Sequence, residues 1–134
     1  MARKIFYVPI TPGELVDKIT ILEIKLEHIG DAKKIGNIKK ELAALQDSLH
    51  EELVATEGLA ELMRRLKGYN LEAWHIIESM EEIWRRNEHV PERIFADAVC
   101  VNKMRVSTKQ AIDVLLGSDF REEKSYLPAQ APSD

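Results

Sequence analysis

The stretch TPGELVDKITILEIKLEHI, from Thr11 to Ile29, begins like a capped helix and carries apolar residues on more than one side. Thr11 is a good N-cap residue, Pro12 suits the first helical turn, and Glu14 completes the pattern of a capping box. The stretch therefore predicts a helix with a well-defined first residue. Its main apolar stripe, at steps of three and four residues, consists of Leu15, Ile19, Leu22, Leu26 and Ile29.

Three further apolar residues of this helix, Val16, Ile21 and Ile24, lie away from the main stripe. A helix with apolar contacts on more than one side is predicted to be central in the fold. Asp17 and Thr20 lie beside these residues, where a partly buried carboxylate requires a hydrogen-bond donor or a cation. We expect that partner to be a protein group, with a bound ligand as the alternative.

The chain after this helix keeps the same spacing of apolar residues. Gly30 and Asp31 are predicted to end the first helix and to cap a second helix of about 23 residues. Thr56 is predicted to cap a third helix, whose apolar spacing continues through Gly68. That spacing fits either one long helix or two coaxial helices.

The last helical part of the chain contains a second capping signal. Pro91 opens a helix at PERIFADAVCVNKM, and Ser107 with Gln110 then forms a second capping box. A helix boundary at Ser107 predicts two shorter C-terminal helices, of which the second ends at Gly117.

The predicted fold class is mainly α: an antiparallel helical bundle of long coiled-coil-like helices, in one domain over residues 1–127. Residues 4–10, KIFYVPI, are β-branched and aromatic and are predicted as a short edge strand. Residues 122–127, EEKSYL, are a second extended segment, so a two-stranded β ribbon is expected to join the termini. Residues 128–134 are predicted to be disordered.

The composition is that of a globular chain with a modest negative charge. The net charge is -4, so we expect neither a nucleic acid nor a membrane as partner, since phosphate-rich surfaces attract an excess of Lys and Arg. The single cysteine, Cys100, lies between Val99 and Val101 and is predicted to be a buried structural thiol. No apolar run is long enough for a signal peptide or a membrane span, and a cytoplasmic protein is predicted.

No complete catalytic motif is present in the sequence. The acid-to-histidine spacing of di-iron helical bundles occurs at Asp47 with His50 and at Glu72 with His75, but two matches are close to chance, so no metal is predicted. There is no Gly-x-Ser-x-Gly elbow and no phosphate-binding glycine loop, so no cofactor is predicted and an enzyme is not favoured. The alternative is a small helical enzyme without a nucleophile, in the manner of the helical chorismate mutases.

Polar residues from the two ends of the chain form the candidate binding site. Arg105 and Lys109 are predicted to form a charged pocket for a small anion if both approach the EEKSY segment near the end of the chain. The other interpretation is a network of surface ion pairs, which are common and weak. The candidate residues are Asp17, Lys18, Thr20 and Glu23 from the first helix, and Asn102, Arg105, Lys109, Glu123, Lys124 and Tyr126 from the end of the chain.

Four segments, GELVDKITILEIKLEHI, IGNIKKEL, IWRRNE and LLGSDFREEKSY, resemble an uncharacterised family of small bacterial proteins, a domain of unknown function. The resemblance covers the chain from about residue 5 to residue 126 and departs from the family pattern near EAWHIIESM. It implies an association with glycosyltransferases and cell-envelope polysaccharide proteins, and it implies no activity. The matching positions are Gly13, Glu14, Asp17, Lys18, Thr20, Glu23 and Lys25 at the start, and Asn102, Gly117, Ser118, Glu123, Lys124, Ser125 and Tyr126 at the end.

Two classes of function are compatible with these observations. The favoured hypothesis is a non-catalytic helical interaction or accessory module that binds a protein partner or self-associates, because the apolar stripes are long and no catalytic constellation is complete. The competing hypothesis is a site for a small anion or a sugar nucleotide, binding or enzymatic, between the first helix and the C-terminal segment.

Overall fold

The structure is a computed structural model that describes residues 4–120 and Glu123, with the side chain of Glu52 left out. Over this range the fold is helical, which confirms the predicted mainly α bundle. The helices are α1 (Pro12–His28), α2 (Ala32–Ser48), the single-turn α3 (Glu51–Val54), α4 (Leu59–Arg85) and α5 (Glu92–Leu115).

The predicted edge strand at residues 4–10 is wrong, because this segment has no regular secondary structure. The side chains of Ile5, Phe6 and Tyr7 are exposed. The described part of the chain offers no second strand to accept their main-chain hydrogen bonds, and β propensity alone does not form a strand. Of the predicted second strand only Glu123 is described, and residues 128–134 also lie outside the described residues.

Helix α1 begins where its sequence predicts and is the central helix of the fold. Thr11 Oγ1 accepts a hydrogen bond from the Glu14 amide at 3.1 Å, and Pro12 is the first helical residue. Helices α2, α4 and α5 all contact α1. Val16 and Ile24, which lie away from the main apolar stripe, are 0% and 1% exposed. The prediction of a central helix is therefore confirmed.

The hydrophobic core consists of two clusters on different sides of α1. Between α1 and α2, the buried residues are Ile19, Leu22, Ile38, Leu42 and Leu49. The second cluster joins α1 to the first half of α4 and the second half of α5, and its buried residues are Val16, Leu59, Leu66 and Ile112. The amphipathic faces predicted from the spacing are thus buried against one another.

Two predicted helix boundaries around α2 and α4 differ from the structure. Asp31 caps α2 as predicted, accepting from the Lys34 amide at 3.0 Å, but α2 ends at Ser48 and is shorter than expected. Helix α4 begins after Gly58, not after Thr56, because Gly58 adopts a positive φ of 89° that a side chain would disfavour. From there α4 is one continuous helix through Gly68, the first of the two alternatives.

Helix α5 runs without interruption through Ser107, so the predicted boundary between two C-terminal helices is wrong. A capping box contributes about 1 kcal/mol, whereas an uninterrupted helix keeps its whole ladder of main-chain hydrogen bonds. The neighbouring Thr108 hydroxyl donates to the Met104 carbonyl at 2.8 Å, as hydroxyl residues do inside helices. The predicted end at Gly117 is confirmed, with a φ of 68° and the Ser118 amide donating to the Asp113 carbonyl at 2.9 Å.

Replacing Ser107 by alanine tests the continuity of α5. In a helix interior this exposed position favours alanine, so Ser107→Ala is expected to stabilise the protein by about 0.5 kcal/mol. At an N-cap the same change would cost about 1 kcal/mol. Urea unfolding, followed by circular dichroism, measures whether the free energy of unfolding rises or falls. A fall would indicate that a helix boundary lies at Ser107 after all.

The distal half of the α4–α5 hairpin extends beyond the core, and we call residues 71–100 the arm. None of these residues is buried. Cys100 is exposed, so the predicted buried structural thiol is wrong. Cys100 and its neighbour Val99 lie on the arm, which no other helix of the described chain encloses, and the buried part of α5 begins only at Val101.

Candidate functional site

A layer of polar side chains lies where α1, α4 and α5 meet, and we call it the polar layer. Arg105 Nη2 donates to the two carboxylate oxygens of Asp17 at 3.2 and 3.1 Å. Asn70 Nδ2 donates to Asp17 Oδ1 and to Thr20 Oγ1, both at 2.8 Å. Arg105 Nε donates to Asn70 Oδ1, and Arg105 Nη1 donates to Asn102 Oδ1 at 3.2 Å. Side chains from three helices therefore form one connected network.

The inner members of the polar layer are withdrawn from water. Asp17 is 6% exposed, Thr20 is 1% exposed and Asn70 is 6% exposed. The side chain of Arg105 is 22% exposed and reaches the network from the rim. A buried carboxylate without a cation would be costly, so the partner that Asp17 requires is supplied by Arg105 and Asn70 of the same chain.

A second set of polar contacts joins the start of α1 to the end of α5. Lys109 Nζ donates to Glu14 Oε1 at 2.9 Å, and the Gly13 amide donates to Asp113 Oδ1 at 2.7 Å. The backbone of α1 lies very close to α5 here, since a Cβ atom on Gly13 would be 2.4 Å from the Lys109 carbonyl oxygen. Contacts at Gly13, Glu14 and Asp17 follow one another along an antiparallel pair of helices.

The structure brings half of the candidate residues together and places the others elsewhere. Because α5 is continuous, Arg105 and Lys109 lie one turn apart and both contact α1. Lys18 is exposed, and Glu23 faces α4, where it lies 3.8 Å from Lys67 Nζ. Glu123 is exposed, while Lys124 and Tyr126 lie outside the described residues. The residues brought together are Asp17, Thr20, Asn102, Arg105 and Lys109.

Three members of these contacts were not among the candidates: Glu14, Asn70 and Asp113. Asn70 could have been recognised from the sequence, because it follows Leu66 by four residues and so lies on the apolar side of α4. A buried amide at such a position needs partners on neighbouring helices. Asp113 gave no comparable signal, because its role depends on how closely Gly13 approaches α5.

The chemistry of the polar layer is structural. All three guanidinium nitrogens of Arg105 donate to protein oxygens, and Lys109 is paired with a carboxylate. A cation that is already paired with a carboxylate binds a free anion less strongly. The layer fixes the position of α1 against the α4–α5 hairpin, because each of the three helices contributes a polar side chain whose hydrogen bonds are made by side chains of the other two.

Several open cavities lie along α5 and beside the arm, among them the three that follow. One of about 530 Å³ is lined by His75, Ile76, Ser79, Arg93, Ile94 and Asp97. Another of about 440 Å³ is lined by Ala98, Val99, Asn102 and Lys103. The third, of about 270 Å³, lies at the end of α5 beside Asp113 and Phe120. Asn102 and Asp113 are the polar-contact residues that reach these cavities.

Two histidines of the chain, His28 and His75, contact other side chains. His75 Nδ1 lies 3.0 Å from Glu78, and the ring of His28 packs against Trp74 with centroids 5.3 Å apart. Among the residues that the structure describes, no three His, Cys, Asp or Glu side chains are grouped to hold a metal ion.

An ion-pair cluster connects the C-terminal half of α1 to α4. Lys67 Nζ donates to Glu27 Oε1 at 2.7 Å, which lowers the pKa of Glu27 from its ordinary value of 4.5. The same hydrogen bond raises the pKa of Lys67 above 10.5. Each group is therefore held in its charged form around neutral pH.

Replacing Lys67 by methionine should weaken the acid dependence of stability. The lowered pKa of Glu27 contributes stability that is present above about pH 4.5 and is lost as the pH falls through the folded-state value. Lys67→Met is therefore expected to lose less stability than the wild type between about pH 5 and about pH 3. Urea unfolding at both pH values measures this, with the exposed Lys18→Met as control; equal losses would contradict it.

No helix in the described chain is both long and apolar enough to span a membrane. Comparison of the sequence with protein-family models and with curated proteins, and of the fold with solved structures, finds no match.

Proposed function

We propose that the protein is a non-catalytic helical interaction module that binds another protein through the arm. The observation that carries this proposal is an apolar surface that no helix of the described chain covers. Ile77, Trp84, Phe95 and Val99, which we call the arm face, are 57%, 57%, 47% and 56% exposed. Clustered large apolar side chains on a surface are typical of binding sites.

The α4 half of the arm face continues a side of the helix that is buried closer to the core. Leu66 is 0% exposed and packs in the cluster that contains Val16 of α1. Ile77 lies about three turns after Leu66 and Trp84 about five turns after it, so all three share one side of α4. The side that α1 covers in the first half of α4 is uncovered in the second half.

The α5 half shows the same transition. Asp113 faces α1, where it accepts from the Gly13 amide. Phe95 lies about five turns before Asp113, and Val99 lies about four turns before it. Helix α1 ends at His28, beside Trp74. The arm face is therefore the continuation of the α1-binding groove beyond the point where α1 stops.

The energetics favour a partner for this groove. Long helices in proteins gain most of their stability by packing an apolar face, and the arm has no buried residue. Trp84 and Phe95 still expose 57% and 47% of their surfaces, and tryptophan is frequent among residues that dominate binding energy. A helix laid along the groove would cover them as α1 covers Leu66.

A pair of arm variants tests the proposed function. Trp84→Ser combined with Phe95→Ser should weaken binding of a purified native partner by about 100-fold or more. Val114→Ser is the matched control, because Val114 is 83% exposed on α5 but lies outside the arm. Partners are identified by capture with wild-type protein from the native host and then titrated as purified proteins. The proposal fails if the arm variant binds like the control, or if no partner is found.

The cellular setting extends this proposal. The resemblance of the end segments to a family associated with glycosyltransferases and envelope-polysaccharide proteins supports a cytoplasmic partner from such a system. Identification of the captured partners will show whether they include glycosyltransferases or envelope-polysaccharide proteins.

The competing small-molecule hypothesis has weaker support, because Arg105 is paired with Asp17 and Lys109 is paired with Glu14. A thermal-shift screen with sugar nucleotides and small anions tests it, since a ligand of the native state raises the melting temperature. A saturable shift that is lost in Asn102→Ala would favour a site beside α5.

A further inference from the structure

We infer that the arm face receives a basic amphipathic helix, so that the partner is defined by an apolar stripe flanked by Lys and Arg. This inference rests on the proposed function and adds the chemistry of the partner. It follows from the shape of the groove and from the distribution of charge around it.

The groove between α4 and α5 has the width of one helix, because its other half holds one. Helix α1 lies in it with Val16 against Leu66 and Ile112. The arm part of α4 is about 22 Å long, which corresponds to about four turns of a partner helix. Such a partner would present apolar residues at spacings of three and four, the usual pattern of helix-in-groove recognition.

The arm carries the whole net charge of the protein. Residues 71–100 contain seven Asp and Glu and three Arg, a net charge of -4, which equals the net charge of the complete chain. The remaining residues carry acidic and basic side chains in equal number. The net negative charge of the molecule is therefore concentrated on the arm.

Acidic side chains border the arm face itself. Glu81 follows Ile77 by four residues and Glu92 precedes Phe95 by three, so each is a surface neighbour of an arm-face residue. Both glutamates are exposed. Arg85 lies near Glu81 at 3.9 Å, but its side chain is 74% exposed, and such surface pairs are weak. Lys103 lies beside Val99 at the base of the arm, where both line one cavity. The net charge of -4 over the whole arm is what attracts a cationic partner helix.

The same charge opposes a second copy of the chain as the occupant. Packing two arms against each other would bring two surfaces of net charge -4 together, and like-charge contacts disfavour a complex. An area argument points the same way. Two arm faces of about 22 by 20 Å would bury about 900 Å² in total, less than the roughly 1,000 Å² expected of a specific interface.

Two synthetic peptides test the inference with the full-length protein. Both are 18-residue amphipathic helices with one leucine stripe; the flanks of the first are lysine and those of the second are glutamate. Titration by calorimetry should show the lysine peptide binding about tenfold or more tightly than the glutamate peptide. Its affinity should fall as ionic strength rises from about 0.05 to about 0.3 M, because salt screens exposed charges.

Matched variants connect this binding to the arm. Trp84→Ser and Glu81→Lys should each weaken the lysine peptide by about tenfold. Val114→Ser removes an exposed apolar side chain outside the arm, and Glu41→Lys reverses an exposed charge outside the arm; both should leave the affinity unchanged. Circular dichroism verifies that each variant keeps its helical content.

Several results would overturn the inference. Equal affinity for the two peptides, no binding of either, or binding that is indifferent to Trp84→Ser would each do so. Sedimentation of the free protein as a dimer that Trp84→Ser dissociates would assign the face to a second copy. If a native partner depends on Trp84 but binds without regard to salt or Glu81→Lys, the proposed function stands and this inference fails. Absence of any Trp84-dependent partner would instead defeat the proposed function.

Discussion

Gly13→Ala is expected to destabilise the protein by about 3 kcal/mol and to lower Tm by about 10 °C. The added Cβ would lie 2.4 Å from the Lys109 carbonyl oxygen and 2.9 Å from Asp113 Oδ1. The carbonyl belongs to a helix backbone and cannot move aside as a flexible side chain can. Moving α1 away would lengthen the hydrogen bond from the Gly13 amide to Asp113 and weaken the contacts of the polar layer.

The matched control for this prediction is Gly68→Ala in α4. A Cβ at Gly68 has no atom within 4 Å, and Gly68 lies inside a continuous helix. The same substitution is therefore expected to stabilise the protein by about 0.8 kcal/mol, through helix propensity alone. Thermal unfolding of both variants measures the two shifts. Equal shifts of the same sign would show that α1 does not approach α5 as closely as described.

Arg105→Met is the second change with a large expected effect, a loss of about 3 kcal/mol. It would leave the carboxylate of Asp17, which is 6% exposed, without its cation. Removing one partner of a buried ion pair costs more than removing both, because the remaining charge stays desolvated. Combining Arg105→Met with Asp17→Asn should therefore recover most of the lost stability.

Arg85→Met provides the control for the loss of an arginine. The side chain of Arg85 is 74% exposed, and its distances to Glu81 and Glu82 are both 3.9 Å. We expect a change within about 0.5 kcal/mol, as for other surface ion pairs. Urea unfolding of the three variants measures the differences. An Arg105→Met effect no larger than that of Arg85→Met would mean that the polar layer does not hold α1 in place.

The polar layer and the arm have separate roles in this account. The layer holds α1 against one half of the α4–α5 hairpin, and the length of α1 leaves the other half uncovered. Stability variants such as Gly13→Ala should therefore change unfolding, whereas arm variants such as Trp84→Ser should change binding. This separation makes the two sets of measurements independent.

Local interactions allowed parts of the fold to be predicted from the sequence. Thr11 and Asp31 cap helices with hydrogen bonds to amides three residues away, and Gly117 ends α5 with a positive φ. Such contacts depend on neighbours in the chain, so residue type and spacing reveal them. Asp17 could likewise be predicted to need a partner, because a carboxylate beside Ile21 and Ile24 requires one.

The partner of Asp17 and the exposure of the arm depended on the tertiary structure. Asn70 and Arg105 are 53 and 88 residues from Asp17, and no local pattern joins them. The capping box at Ser107 was a valid local signal, but packing of Val106 and Ile112 in one continuous helix outweighed it.

By itself, then, the sequence determined that the chain folds into long amphipathic helices, where α1 and α2 begin and α5 ends, and which side of each helix is apolar. Apolar spacing looks the same at Leu66, which is buried, and at Trp84, which is exposed. The tertiary structure alone decided which of these faces is covered, because coverage depends on where a neighbouring helix ends. Helix α1 stops at His28, and no helix of the described chain covers the apolar surface beyond it.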